Sequence, residues 1–211
     1  MKTYNCPPKT LWNTLVERPT VKEEELFSLV KAVFDAVKTE GDPALQRYSL
    51  QFDKVTINNL LVSKSNIEMA GATLSTELRD AIQLAKHNIE QFHASQQEQI
   101  KVIETSTGVR CWRESRAIEQ VGIYIPGGSA PLFSTVLMLG IPAKLAGCKE
   151  IVLCSPPDSQ GTIHPAILYA AQLVGITTIA AVGGIQAIAA MSYGTSSIPK
   201  VAKIFGPGNQ F

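Results

Sequence analysis

Small residues follow each of four short apolar segments in the second half of this 211-residue chain. Glycines in such turns let a ligand approach the backbone closely, and the free N–H groups of a following helix attract anions such as a pyrophosphate. A single turn of this kind is equally consistent with tight chain reversal, but several on one sheet edge favour a ligand site. The four turns are Pro126-Gly127-Gly128-Ser129, Ser155-Pro156-Pro157, Gly183-Gly184 and Gly206-Pro207-Gly208-Asn209.

The apolar segments that precede these turns are short enough to be buried strands. They cover residues 121–125, 151–154, 179–182 and 201–205, and residues 133–146, 165–174 and 186–193 between them are patterned as helices. Strands that alternate with helices at this spacing predict βαβ units and a parallel sheet covered on both faces. The carboxyl ends of parallel strands share one edge, so we expect the four turns to be neighbours.

The first half of the chain has a helical pattern. Apolar residues recur at helical spacing over residues 21–39, and a shorter helix is predicted at 44–52. Ser75 is a predicted N-cap for the longest helix, whose apolar side is formed by Leu78, Ile82, Ala85, Ile89 and Phe92. Residues 101–105 and 109–112 alternate like a β-hairpin. We therefore predict a mainly helical segment with a hairpin over residues 1–118 and an α/β unit over 119–211.

The composition gives no indication of a nucleic-acid partner, a membrane span or a disulfide. Nineteen basic and eighteen acidic residues nearly cancel, which gives no indication of nucleic-acid binding. No apolar stretch is long enough to cross a membrane, and the amino terminus lacks a secretory signal, so a cytoplasmic location is expected. The cysteines show no CxxC spacing and are expected to be reduced, two of them as small core residues: Cys6, Cys111, Cys148 and Cys154.

Candidate groups for catalysis are scarce in the sequence. The spacing of His87, His93 and His164 does not favour a zinc site, and no Ser/His/Asp or Cys/His pattern is present. The dinucleotide fingerprint is also absent, because GGSAP stands where GxGxxG is expected and no acidic residue closes the second strand. Ser129, Ser134 and Thr135 are candidates for ligand contacts, but capping of the helix at 133 is the favoured role of these side chains.

Several longer stretches are more specific than these patterns. They are "VGIYIPGGSAPLFSTVLMLGIPAKLAGCKEIVLCSPP", "ILYAAQLVGI", "VGGIQAIAAMSYGT" and "KIFGPGN", with "EGDPALQRYSLQFDK" and "GVRCWRESRAIEQVG" before them. Together they closely resemble the amino-terminal half of the histidinol dehydrogenase family. The resemblance implies an α/β fold in which a helical amino-terminal segment precedes an incomplete Rossmann-like parallel sheet with helices on both faces.

The resemblance also implies an activity and its cofactors. The family is a zinc- and NAD-dependent, homodimeric group of enzymes that oxidise L-histidinol through histidinaldehyde to L-histidine, the last steps of histidine biosynthesis. Three positions that match the family's motifs imply NAD contacts, namely Tyr124, Gln186 and Asn209. Tyr124 offers a ring face and a hydroxyl at a strand end, Gln186 an amide at a helix start, and Asn209 emerges from a Gly-Pro-Gly loop. Without the resemblance, strand-end packing, helix capping and a left-handed turn explain these residues equally well.

The family's zinc ligands, its Glu-His proton-handling pair and its main substrate contacts match nothing in this sequence. We therefore expect no catalytic and no metal-binding residue in this chain, and we interpret it as a piece of a longer protein. Alone, the 211 residues are not expected to oxidise histidinol. The alternatives are a non-catalytic nucleotide-binding or dimerisation module, and a protein that binds another phosphate compound at the glycine-rich edge.

Overall fold

Helices form most of the first hundred residues in the structure, a computed structural model that describes residues 3–17, 23–128 and 130–207. They are α1 (Trp12–Val16), α2 (Glu23–Glu40), α3 (Asp42–Tyr48), α4 (Lys64–Met69) and α5 (Thr76–Ala94), with short 3-10 turns at Lys9–Leu11 and Ala70–Thr73. The sequence predicted α2, α3 and α5. It missed α1 and α4, because five or six residues are too few to display a helical period.

The end of α3 departs from a regular helix. It begins at Asp42, two residues before the predicted start, because Pro43 fits the first turn of a helix without losing a hydrogen bond. After Tyr48 the chain widens into a π turn, Ser49–Asp53, which ends at Lys54 in the left-handed conformation with φ at 60°. Such π turns are rare in proteins, and those that occur often lie at functional sites.

The predicted cap of α5 is confirmed. Ser75 Oγ accepts a hydrogen bond of 3.2 Å from the backbone N–H of Leu78, which satisfies one of the free donors of the first turn. Ile82 in the middle of α5 is fully buried, as predicted. Phe92, at the end of the same apolar side, is 63% exposed.

A two-stranded hairpin follows α5, as predicted. Strands β1 (Ile103–Ser106) and β2 (Val109–Cys111) pair antiparallel around a turn in which Gly108 has φ at 81°. All seven strand residues are exposed to solvent.

The remaining elements alternate between strand and helix and confirm the predicted α/β class. They are β3 (Gln120–Tyr124), α6 (Phe133–Ala146), β4 (Glu150–Cys154), α7 (Pro165–Val174), β5 (Thr178–Ala180), α8 (Gly184–Tyr193) and β6 (Lys203–Phe205). The four strands are all parallel, in the order β5-β4-β3-β6. The chain thus steps outward from β3 to β5 and then returns to the other side of β3, which makes the gap between β3 and β6 a topological switch point.

Helices cover both faces of this sheet. On one face, alternate strand residues such as Ile123 and Leu153 pack with α6, α7 and the buried side of α5. On the other face, Val152 and Cys154 pack with α8, α2 and α3. The helices of the first hundred residues therefore contribute to both halves of the core.

The outer edge of β5 is covered by an earlier segment of the chain. Val62 N–H donates to the carbonyl of Ile179 at 2.9 Å, and Ala181 N–H donates to the carbonyl of Leu60 at 2.8 Å. Leu61 faces Ala180 in an isolated antiparallel bridge. Residues 181 and 182, predicted to be strand, lie beyond the last residue of β5 that pairs with β4.

The cysteines are free in the structure. Cys148 and Cys154 are buried, as expected for two small core residues, while Cys6 and Cys111 are exposed. Complete burial raises the pKa of the Cys154 thiol to about 12, from an ordinary value of 9.0. Among the described residues, no helix has the length and apolar character to span a membrane.

The raised pKa of Cys154 predicts a pH-dependent loss of stability. Above about pH 9 the unfolded chain releases the thiol proton while the folded chain retains it, so the free energy of unfolding falls as the pH rises, by at most about 1.4 kcal/mol per pH unit. Urea unfolding at several alkaline pH values should show a shallower pH slope in Cys154→Ala than in the wild-type chain. Identical slopes would mean that Cys154 does not stay protonated in the fold.

Candidate functional site

The ends of three strands close around Pro156. A Cβ atom added to Gly183, after β5, would lie 2.4 Å from Pro156 Cβ. One added to Gly127, after β3, would lie 2.8 Å from Pro156 Cγ. Only glycine permits such close approach from both sides, so three of the four turns found in the sequence meet at one edge, as predicted.

The fourth turn lies on the other side of β3. A Cβ atom added to Gly206, directly after β6, would lie 2.7 Å from the carbonyl oxygen of Tyr124. Gly206 thus allows the chain leaving β6 to run close beside the end of β3, at the switch point of the sheet.

A cavity of about 700 Å³ opens at this edge. Its volume is within the usual range of small-molecule sites, which is roughly 300–1,000 Å³. The lining residues come from the three strand-end turns, from the start of α7 and from the π turn: Asp53, Tyr124, Pro126–Gly128, Ala130, Pro131, Ser155–Asp158, Thr162, His164, Ile167 and Gly184.

Tyr124 links β3 to the start of α8. Its Oη accepts a hydrogen bond of 3.0 Å from the backbone N–H of Gly184, one of the helix donors that has no partner within the helix. Burial raises the pKa of the Tyr124 hydroxyl, so this group stays protonated and retains a proton to donate. The predicted site residue therefore lines the cavity with its hydroxyl fixed at the head of a helix.

Gln186 lies beneath this surface and not on it. The side chain is fully buried and turns back toward the start of α8, where its Oε1 would lie 2.9 Å from a Cβ on Gly184. Its Nε2 donates to Asp53 Oδ2 at 3.4 Å, whereas Oε1 has no hydrogen-bond partner among the described residues. A buried carbonyl oxygen without a hydrogen bond lowers the stability of a fold by about 1–3 kcal/mol. The side-chain oxygen of Gln186 is such a group.

Asp53 was not identified from the sequence as a site residue. It ends the π turn, lines the cavity and accepts the hydrogen bond from Gln186. Burial raises the pKa of its carboxyl group. No salt bridge within the described residues involves Asp53. The only local signal was the FDK sequence, which gives no indication that a residue 71 positions before Tyr124 reaches the same cavity.

The second carboxylate of the cavity, Asp158, is occupied by its own loop. Asp158 Oδ1 accepts from the N–H groups of Gln160 and Thr162, and Oδ2 accepts from the Thr162 hydroxyl. Burial acts to raise the pKa of Asp158, but the hydrogen bonds from Thr162 and Gln160 together lower it. This side chain shapes the wall of the cavity and has no oxygen without a hydrogen bond.

Three helices start around the cavity, and their caps differ. His164 Nδ1 accepts from Ala166 N–H and caps α7. The N-cap residue of α6, Leu132, provides no side-chain cap, and the predicted capping by Ser134 or Thr135 is wrong. The N-cap residue of α8, Gly183, has no side chain, and Tyr124 Oη accepts the hydrogen bond from Gly184 N–H instead. Helix starts without a side-chain cap leave backbone donors that suit a phosphate group.

Two parts of the predicted site lie outside the described residues. They are Asn209, the third predicted NAD contact, and Ser129 of the first turn. The geometry at the edge of the sheet therefore concerns Tyr124 and Gln186.

The features of this edge fit a dinucleotide better than a metal. Gly128 has open space around it, and the start of α6, which its N-cap residue does not cap, offers backbone N–H groups to polar groups of a ligand. Among residues 3–17, 23–128 and 130–207, no group of three or more His, Cys, Asp or Glu is close enough to hold a metal ion. The described residues do not provide a zinc site.

A second cavity, of about 740 Å³, lies beside the β1–β2 hairpin. Ile103, Cys111 and Trp112 are among the residues that line it, but it contains no strand end of the parallel sheet and none of the predicted site residues. Size alone does not make it the better candidate, because ligands of open α/β sheets bind at the carboxyl ends of the strands.

The chain is similar to known proteins over most of its length. The family model for histidinol dehydrogenase matches residues 16–211. The histidinol dehydrogenase of Bacteroides thetaiotaomicron is 56% identical over 211 residues, which are 100% of this chain and 49% of that protein. The enzyme of Shigella sonnei is 52% identical over 198 residues, 93% of this chain and 45% of that protein.

A solved structure has the same fold. The crystal structure of histidinol dehydrogenase from Elizabethkingia anophelis has a TM-score of 0.90 and 58% sequence identity, covering 100% of this chain and 49% of that one. The chain thus spans about half the length of the relatives it matches. With the family model matching residues 16–211, this similarity shows that the chain belongs to the histidinol dehydrogenase family.

Proposed function

We propose that this chain supplies the NAD-binding edge of a histidinol dehydrogenase. The cavity at the strand ends carries the proposal, because it joins Tyr124 and the start of α8 in a member of this family. The parent enzyme oxidises L-histidinol through histidinaldehyde to L-histidine, as a cytoplasmic homodimer that also requires zinc. Residues 119–211 are proposed as the incomplete Rossmann-like unit that binds the cofactor, and residues 1–118 as a mainly helical segment with a hairpin that packs against it.

In the proposed reaction, the oxidised nicotinamide ring supplies the hydride acceptor for both oxidation steps. The residues of this chain bind and orient the dinucleotide. Tyr124 lines the cavity wall, and its hydroxyl holds the head of α8 in place. The start of α6, and the N–H groups in the first turn of α8 that Tyr124 does not engage, offer backbone donors to the pyrophosphate. Gln186 supports the same helix start from below, and Asn209 is proposed as a third contact.

We infer that the chain by itself binds NAD without turning over histidinol. None of its described residues forms a zinc site, and neither the proton-handling pair nor the main substrate contacts of the family match this sequence. The chain alone would then act as a nucleotide-binding module, and zinc binding and proton transfer belong to the rest of the parent protein.

Titration of the ¹⁵N-labelled chain with NAD, followed by NMR, tests the site. We expect shifts of the amide signals of Gly127, Gly128 and Gly184 at the cavity, and none at Val109 or Arg110 of the hairpin. A parallel assay with histidinol, NAD and zinc should give no NADH. Shifts confined to the hairpin would contradict the assigned cavity, and NADH formation would contradict the division of roles.

A further inference from the structure

The carboxylate of Asp53 is unusual among the acidic groups near the cavity. It is half-buried at the wall, and no cation pairs with it within the described part of the chain. Its one hydrogen bond there comes from Gln186 Nε2, at 3.4 Å to Oδ2. The other oxygen, Oδ1, accepts no hydrogen bond from those residues. Moving a carboxylate even partly out of water without a cation disfavours its charged form, which points to a use other than holding the fold together.

Asp53 supplies a carboxylate at an edge of the sheet where the second strand ends without an acidic residue. In dinucleotide-binding sheets an acidic side chain at the end of the second strand accepts hydrogen bonds from a ribose. Here the second strand, β4, runs into Ser155 and Pro156, which offer no carboxylate. Asp53 lines the same cavity as Ser155 and Pro156, but it reaches that position from the π turn after α3.

The alternatives within the cavity do not supply the same group. Both oxygens of Asp158 are engaged by its own loop. Tyr124 Oη accepts from Gly184, and His164 Nδ1 caps α7. A carboxylate that is held by one bond and has a further oxygen to offer is suited to the paired hydroxyls of a sugar, because each carboxylate oxygen accepts more than one hydrogen bond.

We propose that Asp53 binds the ribose of the dinucleotide by accepting hydrogen bonds from its adjacent hydroxyls, with Gln186 holding the carboxylate in position. This inference rests on the proposed NAD site. NAD contains two such sugars, one on the adenosine side and one on the nicotinamide side. Asp53 also disfavours a phosphate on the sugar it binds, because two negative groups would then be in contact.

The test compares Asp53→Asn with the wild-type chain by calorimetry. Asparagine keeps the shape and still accepts from Gln186, but it lacks the charge. We expect the affinity for NAD to fall about tenfold, while the affinity for inorganic pyrophosphate is unchanged or higher, since a repelling charge is lost. Weaker binding of NAD without weaker binding of pyrophosphate indicates a sugar contact. A general electrostatic effect would instead strengthen the binding of both ligands.

A matched control and a stability measurement complete the test. Asp35→Asn removes the same charge from the exposed side of α2 and should change neither affinity by more than about twofold. Because burial raises the pKa of Asp53, its ionised form is disfavoured in the fold, so Asp53→Asn should unfold at the same or a higher temperature than the wild type. Lost affinity with lost stability would indicate a structural role and would overturn the proposal.

Binding of NADP identifies the sugar. If Asp53→Asn lowers the affinity for NAD and also reduces the ratio of the affinities for NAD and NADP, the contact is with the adenosine ribose, which carries the extra phosphate of NADP. If NAD weakens and the preference stays, the contact is with the nicotinamide ribose. If Asp53→Asn binds NAD as tightly as the wild type or more tightly, only the role of Asp53 is overturned. If the wild-type chain binds no NAD, the proposed function is overturned as well.

Discussion

Gly183→Ala lowers the melting temperature of the chain by roughly 4–10 °C, from a loss of about 2–3 kcal/mol in the free energy of unfolding. The added methyl group would lie 2.4 Å from Pro156 Cβ and 3.0 Å from Pro156 Cα. Neither atom can swing aside, because the proline ring is rigid and Cα belongs to the backbone. The strand ends of β4 and β5 must therefore move apart. Thermal unfolding followed by circular dichroism measures the effect.

Gly128→Ala is the matched control for Gly183→Ala. Gly128 lies in a neighbouring strand-end turn, has no atom within 4 Å of an added Cβ and does not adopt a positive φ. The same chemical change there should leave the melting temperature within about 1–2 °C of the wild type. If Gly183→Ala is as stable as Gly128→Ala, then Pro156 is not held between its two glycine neighbours as the structure has it.

Ile82→Ala has the larger expected effect, a loss of about 3 kcal/mol in the free energy of unfolding. Ile82 is fully buried on α5 and belongs to the same core cluster as Ile123 and Leu153 of the sheet. Shortening it removes apolar contacts and leaves a cavity between the helical segment and the α/β unit. Urea unfolding followed by circular dichroism provides the free energy.

Leu84→Ala on the same helix is the control for Ile82→Ala. Leu84 is 61% exposed, so its truncation should cost no more than about 0.5 kcal/mol. The Ile82→Ala experiment also tests the division proposed near residue 118. A single transition that shifts as a whole means that the two segments unfold together, whereas a shift of only the first of two transitions means that they unfold separately.

The strands of the sheet were the most predictable part of the fold. The central strands β3 and β4 are short, mostly apolar runs, because strands covered on both faces bury most side chains and lose the alternation of a one-sided sheet. Residues 151–154 and 133–146 were located within one residue at each end. Strand β5 is shorter than predicted because pairing with β4 stops at Ala180, and only an earlier segment lies beside the residues that follow. Contacts so distant in sequence leave no local pattern.

The site was predictable only in part. The glycine-rich turns indicated the edge, and the family resemblance indicated Tyr124, whose hydroxyl bonds to the start of α8. The burial of Gln186 could not be foreseen, since a polar residue in the first turn of a helix usually faces water. Asp53 was missed because its placement depends on a π turn and on the left-handed Lys54, and neither feature has a sequence signature.

The segment that runs beside β5 has a further consequence for association between molecules. An uncovered outer strand is a template on which another polypeptide can add and start a growing aggregate. Residues 60–62 occupy the donors and acceptors of Ile179 and Ala181 on that side. Residues 60–62 thereby protect this side of β5 from pairing with another polypeptide.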